Sequence, residues 1–285
     1  MEKCERQIGR KEESQMRKRK TSILALLLCV SMLAAGCGKE IDQTANTVTT
    51  TTEEETEVET VEETTEPEMT ERAKELLTQN PDTVGYITVE GTEVDNPVVQ
   101  TTDNDYYLSV GFDGQEFRAG TVFMDYTDVF GADTDTWSEN IVLYGHNMAD
   151  NTMFGSLRKY RQDPSYYKDY PFITFSSNYA DYTYVMVGLV ITSGDADADF
   201  PYWRMEELDD KEAFDGYMSA VEEKNMIDNP IDVQYGDSLL TLSTCYSDED
   251  NSRFIIVLRR LREGETTDEL LELIQGDSEE DSSES

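Results

Sequence analysis

Histidine and usable cysteine are scarce in this 285-residue sequence: there is one histidine, His146, and of four cysteines only Cys245 lies beyond residue 37. One imidazole and one thiol cannot complete a tetrahedral zinc site without an unusual carboxylate set, which excludes the common zinc chemistries. Basic residues are few as well, with 23 Lys and Arg against 61 Asp and Glu, for a formal net charge of -38. A field of that sign disfavours nucleic acid and anionic membrane as partners, and no basic, aromatic-laced patch offsets it. Long apolar runs are missing too, the best being Ile23 to Ala35, too short to span a bilayer comfortably.

Much of the negative charge sits in Glu53 to Glu71 and in Asp277 to Glu284, where aromatic residues are absent. Such runs remain solvated. Residues 38 to 69, rich in Thr and Glu, cannot bury a core and read as a charge-extended tether. What remains is roughly 190 residues of ordinary composition, suited to one domain over residues 70 to 262, followed by an acidic tail over 263 to 285.

Residues 1 to 37 read as an export signal, because Arg17-Lys18-Arg19-Lys20 precedes the apolar run. Met16, directly before the basic cluster, is a candidate true start. The run ends in Leu33-Ala34-Ala35-Gly36-Cys37, which resembles a bacterial lipobox although Ala34 stands where Leu is usual. Lipidation of Cys37 is therefore expected, with an uncleaved signal anchor as the alternative. Either arrangement puts the bulk of the chain outside the cytoplasm, held to the outer face of the membrane. Cys245 is then a lone exported thiol, for which a reactive nucleophile is the leading explanation.

Within the central region, Thr70 is placed to cap a first helix that Asn80-Pro81 ends. Strand-like segments follow at Val84 to Val89, Asn96 to Gln100, Gly120 to Met124, Asn140 to Tyr144, Phe172 to Phe175, Tyr182 to Ile191, Ser238 to Thr244 and Arg253 to Leu258. Short strands without regularly interleaved helices favour a mainly β, closed barrel of eight strands over a parallel α/β sheet. Helical interruptions are expected at Met153 to Tyr160 and Met205 to Lys224, and a short helix at Asp268 to Gln275. The aromatic run Tyr166, Tyr167, Tyr170, Phe172 reads as core and barrel cap.

His146 and Cys245 each follow an apolar strand-like run. Alternation puts Ser243 and Cys245 on one face of their strand and Arg253, Ile255 and Val257 on one face of the next, so a hairpin would set Cys245 opposite Arg253. A guanidinium beside a thiol favours the thiolate and can donate to an oxyanion. An imidazole completes the set for acyl transfer, protonating a departing amine and deprotonating the next nucleophile.

The segments Thr241-Leu242-Ser243-Thr244-Cys245 with Arg253, and Tyr144-Gly145-His146-Asn147-Met148, resemble the class B sortases. So do Val84-Gly85-Tyr86-Ile87, Asn96-Pro97-Val98-Val99-Gln100, Gly120 to Asp125 and Met153-Phe154-Gly155, in that order along the chain. The resemblance implies an eight-stranded sortase-type barrel with an N-terminal helix and a long helix before the last two strands. It implies a cysteine transpeptidase with Cys245, His146 and Arg253 as catalytic residues and Asn104 and Ser243 lining the substrate groove. Its partners would be proteins carrying a sorting motif of the Asn-Pro-x-Thr or Leu-Pro-x-Thr-Gly type and an amine acceptor in peptidoglycan or a pilin. No cofactor, no nucleic acid and a monomer are expected.

Other readings compete. A surface-displayed barrel that only binds, or a thiol peptidase that hydrolyses, would use the same fold. Ser156-Leu157-Arg158-Lys159 with Ser176-Ser177-Asn178 has the outline of a penicillin-binding-protein site but lacks a following Lys-Thr-Gly strand. Asp195, Asp197 and Asp199 with Glu206 outline a calcium loop, yet Phe200 stands where a sharp turn needs glycine, and a solvated loop is the default.

Overall fold

The computed structural model describes residues 67–195, 197–203, 210–245 and 251–280. The expected export signal, the lipidation at Cys37 and almost all of the tether lie outside these residues. Helix α1 (Glu71–Gln79) begins where the sequence places a cap: Thr70 Oγ1 accepts from the Ala73 N–H at 3.1 Å. That bond satisfies one of the donors a helix start leaves open.

Eight strands follow among the described residues: β1 (Thr83–Val89), β2 (Asp95–Val99), β3 (Phe123–Met124), β4 (Asn140–Tyr144), β5 (Phe172–Ser177), β6 (Asp181–Ser193), β7 (Leu239–Cys245) and β8 (Ser252–Arg260). They close into a barrel in the order β1-β2-β3-β4-β7-β8-β6-β5. The β2–β3 and β4–β7 pairs are parallel and the others antiparallel. β1 alternates buried and half-buried residues, whereas β4 is buried throughout. The strand expected from Gly120 shrinks to two residues, because Thr121 spends its backbone N–H on Tyr107 and its hydroxyl on Val110. Gly120 itself has φ 60° and lies so close to the Tyr107 carbonyl that a Cβ would stand 2.3 Å from its oxygen.

The expected helix at Met153 is a 3-10 turn, Gly155–Leu157, running into α2 (Arg158–Gln162). The aromatic run after it serves the core: Tyr167 is buried, and Tyr166 packs its ring against both Tyr160 and Tyr170. Helix α3 (Lys211–Lys224) precedes β7 and starts on an Asp210 cap, later than the Met205 expected from sequence; residues 204–209 are outside the described set. Helix α4 (Thr267–Glu280) is longer than expected and is not an idle tail at its start. Its Leu270 and Ile274, one turn apart, are buried in the core, and Gln275 Nε2 donates to the Lys168 carbonyl at 3.3 Å. Burying two such side chains contributes on the order of 1.5–3 kcal/mol each.

One face of the sheet matters most. Asn140, Val142 and Tyr144 share a face of β4, as do Thr241, Ser243 and Cys245 on β7 and Arg253, Ile255 and Val257 on β8. Helix α3 covers this face. Val221 approaches Gly188 of β6 so closely that a Cβ there would stand 2.7 Å from it. Tyr217 donates from its hydroxyl to Thr241 Oγ1 at 3.2 Å and accepts from Asn140 Nδ2 at 3.0 Å. Thr241 closes the ring by donating to Asn140 Oδ1 at 3.0 Å. The helix before β7 is thereby pinned to the two parallel strands, β4 ending two residues before His146 and β7 ending at Cys245.

Candidate active site

In the parallel β4–β7 pair Tyr144 lies beside Ser243, and the Gly145 N–H donates to the Ser243 carbonyl at 3.2 Å. Thr244 Oγ1 returns a bond to the Gly145 carbonyl at 2.7 Å. These bonds carry the register past the end of β4 and bring His146 alongside Cys245. On the other side of β7, Cys245 is the direct antiparallel partner of Arg253, which in turn faces Thr192 of β6. His146, Cys245, Arg253 and Thr192 thus form a row across four neighbouring strands at one rim of the barrel, on the face that α3 covers. Direct cross-strand partners carry their Cβ atoms about 4.5–5.5 Å apart.

Each member of the row is fixed locally. His146 is 7% exposed, and its Nε2 lies 2.8 Å from the Leu108 carbonyl. A carbonyl can only accept, so Nε2 carries the hydrogen, which leaves Nδ1 as the ring nitrogen placed to exchange a proton. Gly145 before it packs under the Phe154 ring, where a Cβ would stand 2.7 Å from Cγ. Cys245 is half-buried. The backbone of Cys245 is held by Asn147, whose Nδ2 donates to its carbonyl at 2.9 Å. Arg253 is 4% exposed and its Nη1 donates to the carbonyls of Asn251 and Ser252, both at 3.3 Å.

Of the two residues expected to line the groove, Ser243 lies two residues before Cys245 on β7, and Asn104 is linked through Asp125 to Tyr144 of β4. Ser243 is buried and shares a 2.7 Å hydrogen bond with the Tyr202 hydroxyl. Asn104 is buried with its amide oriented by two bonds: Nδ2 donates to Asp125 Oδ2 at 2.9 Å, and Oδ1 accepts from the Tyr126 N–H at 3.0 Å. Asp125 also accepts from the Tyr144 hydroxyl at 2.9 Å. Burial, aided by the Asp125 charge, pushes the Tyr144 phenol well above its ordinary range, so it stays a donor.

Among the described residues the competing sites are not assembled; Glu206 of the calcium outline lies outside them. Ser156 is fully buried and accepts from the Glu93 N–H at 3.1 Å, while Lys159 reaches the Gly91 carbonyl at 2.7 Å. Asp199 pairs with Lys224 at 2.9 Å and Asp195 accepts from Asn251 at 2.8 Å. Among the described residues no group of three or more His, Cys, Asp or Glu could hold a metal ion.

The family model of the sortase domain matches residues 87–261, a span that takes in every strand of the barrel in whole or in part. The chain belongs to the sortase family. Sortase B of Listeria monocytogenes is 30% identical over 192 residues, which cover 67% of this chain and 74% of that protein. A solved Staphylococcus aureus sortase B–substrate complex has a TM-score of 0.60 at 27% identity, covering 69% of this chain and 87% of that one. Sortase B of Bacillus anthracis in complex with AAEK1 has a TM-score of 0.58 at 28% identity over 70% of this chain and 88% of that one. The likeness is to class B, and the enzyme class is cysteine transpeptidase.

Sequence reading of this sortase missed several groups around the row. The Leu108 carbonyl that orients His146 has no side-chain signature. Tyr202 sits in a loop whose partner, Ser243, lies 41 residues away. Thr192 carries a buried hydroxyl without a hydrogen-bond partner among the described residues, next to Arg253; its place near a strand end was the signal available.

Proposed function

We propose that Cys245 is the nucleophile of a transpeptidation assisted by His146 and Arg253, and that the substrate is a protein carrying an Asn-Pro-x-Thr or Leu-Pro-x-Thr-Gly sorting motif. What supports this reading is the strand register: Cys245 faces Arg253 across β7–β8, and the β4–β7 pairing runs to Tyr144 beside Ser243, two residues before His146 and Cys245, with the Gly145 N–H on the Ser243 carbonyl. The Cys245 thiol gives its proton to Nδ1 of His146, and Sγ attacks the Thr carbonyl carbon, forming the C–S bond while the C=O π pair moves onto oxygen as the tetrahedral oxyanion. Arg253 stabilises that negative charge by donating to it. The C–N bond then breaks, with His146 delivering a proton to the departing amine and leaving a thioester on Cys245. An incoming amine attacks the thioester, loses its proton to the imidazole and expels the cysteine sulfur.

The acceptor is a peptidoglycan cross-bridge amine or a pilin lysine. Asn104 and Ser243 line the groove for the motif, Ser243 being placed two residues before the nucleophile on the same face of β7. The protein acts as a monomer outside the cytoplasm, held at the membrane through its N-terminus, with lipidation at Cys37 as the favoured anchor and a signal anchor as the alternative. No organic cofactor or metal is required by the chemistry.

Mass spectrometry tests the reading directly. The full chain is incubated with peptides of both motif types, with and without an amine acceptor. A thioester on Cys245 and an amine-linked product are expected, both lost in Cys245→Ala and the product lost in His146→Ala. A folded protein that forms no adduct with any peptide, and whose thiol alkylates only slowly, would favour the non-catalytic barrel.

A further inference from the structure

The guanidinium of Arg253 rests on backbone. Gly194, the residue after β6, lies so near that a Cβ would stand 2.9 Å from Cζ, 3.0 Å from Nη2 and 3.1 Å from Nε. The φ of Gly194 is outside the left-handed region, so what this glycine supplies is the absence of a side chain, not backbone freedom. Nη1 is held by the Asn251 and Ser252 carbonyls. The two supports are tied together, because the Gly194 N–H donates to the same Asn251 carbonyl at 2.9 Å and Asn251 Nδ2 donates to Asp195 Oδ1 at 2.8 Å. Asn251 takes φ 56°, a left-handed conformation that Asn tolerates better than most residues.

We propose that Gly194 and Asn251 are positioning residues: together they form a backbone seat that fixes the Arg253 guanidinium beside Cys245. Arginine has many rotamers, and a donor contributes to an oxyanion only when it is already aimed at the site where charge develops. Two hydrogen bonds restrain one end of the planar group, and the bare Gly194 Cα lies against the rest of it. The seat joins the end of β6 to the start of β8, so it also fastens the two loop bases flanking the row. The inference rests on the proposed role of Arg253 and deepens it.

The experiment compares the full chain with Gly194→Ala, Arg253→Ala, the double variant, Asn251→Gly and Asn251→Val. Turnover is followed with internally quenched peptides of the two motif types and triglycine as acceptor. Thiol reactivity is followed by mass spectrometry as the pH profile of Cys245 alkylation by iodoacetamide, which needs no peptide. The added methyl of Gly194→Ala meets the far end of a long side chain and no backbone atom, so the guanidinium moves aside and the melting temperature is expected to stay unchanged. A displaced guanidinium is expected to lower kcat about 10- to 100-fold with little change in KM. The alkylation midpoint should move up towards that of Arg253→Ala, as it must when a cation leaves a thiol. Adding Gly194→Ala to Arg253→Ala should cost nothing more, since the seat has no occupant left to aim. Asn251→Gly keeps the left-handed turn and should stay within about threefold of wild type, whereas Asn251→Val resists it and should fall with Gly194→Ala. Wild-type kcat and alkylation profile in Gly194→Ala or in Asn251→Val, or an additive loss in the double variant, overturns the seat. Full activity in Arg253→Ala overturns the catalytic reading of Arg253 and the seat with it, so the two failures are distinguishable.

Discussion

Replacing Glu265 with alanine is expected to destabilise the barrel strongly without touching the chemistry. Arg259 of β8 is 1% exposed, and Glu265 receives two bonds from it: Nη1 to Oε2 at 2.7 Å and Nη2 to Oε1 at 3.0 Å. Oε2 also accepts from the Arg262 N–H at 2.7 Å. Nε of Arg259 has no partner among the described residues; Glu265 is the carboxylate hydrogen-bonded to this buried cation, and the Asp237 charge adds a longer-range attraction. Breaking such a pair from one side costs about 3–5 kcal/mol, and the lower figure suits a carboxylate that is 22% exposed. For a domain of about 200 residues, ~3 kcal/mol lowers the melting temperature by roughly 6–12 °C. The pH dependence follows from the same bonds. The Arg259 hydrogen bonds hold the Glu265 carboxyl below its usual range, against the opposing effect of burial. A carboxyl depressed in the folded state contributes its full stabilisation above the unfolded value of about 4.3 and loses it as pH falls through the folded value. Melting curves by circular dichroism of wild type and Glu265→Gln should therefore differ by a constant amount at neutral pH and converge in acid. Peptide turnover at 25 °C should be unchanged. A Glu265→Ala protein melting within about 2 °C of wild type at neutral pH would refute the reasoning.

Three further outcomes are expected. Asp125→Ala leaves the Asn104 amide, the Tyr144 hydroxyl and the Thr127 N–H and hydroxyl without their acceptor; urea unfolding should show a loss of at least ~3 kcal/mol, at about 1–3 kcal/mol for each buried orphan. Asp125→Asn, which keeps one acceptor oxygen, should recover part of that loss. Gly145→Ala drives a methyl into the Phe154 ring, and the adjoining His146 should shift enough to lower kcat about tenfold while the fold survives, a result checked by steady-state kinetics beside a melting curve. Tyr217→Phe removes the hydroxyl that bonds both Asn140 and Thr241, for an expected cost of about 1–2 kcal/mol in chemical denaturation, with hydrogen exchange rising first in α3.

Strand positions were legible because short β segments declare themselves by alternation and turn residues, and β1, β4 and β7 lie within a residue of their expected bounds. β3 failed that test, since the Gly120 N–H goes to the Phe117 carbonyl and the Thr121 N–H and hydroxyl go to Tyr107 and Val110, bonds that local pattern cannot foresee. The row of His146, Cys245 and Arg253 was reachable from strand ends and hairpin logic on one side only. Cys245 opposite Arg253 needs a hairpin register, while His146 beside Cys245 needs a parallel pairing between residues 99 positions apart. Family resemblance supplied that second half. Groups that act through backbone, such as the Leu108 carbonyl and the bare Cα of Gly194, leave no chemical mark in sequence, because any residue carries a carbonyl and many glycines merely turn the chain.

The parallel pairing of β4 with β7 also fixes when the chemistry can exist. Two strands a hundred residues apart meet only after a long loop has been closed, an entropic cost that must be met before their contacts return anything. Until then Cys245 belongs to a hairpin with β8, and His146 to a separate stretch of chain near Phe154. A chain still on its way to the folded state therefore carries an ordinary thiol. The imidazole joins it only as the cylinder closes, so the proposed nucleophile and the proposed proton carrier become a pair in the same event that completes the barrel, and on that reading partly made copies do not acylate themselves on passing peptides.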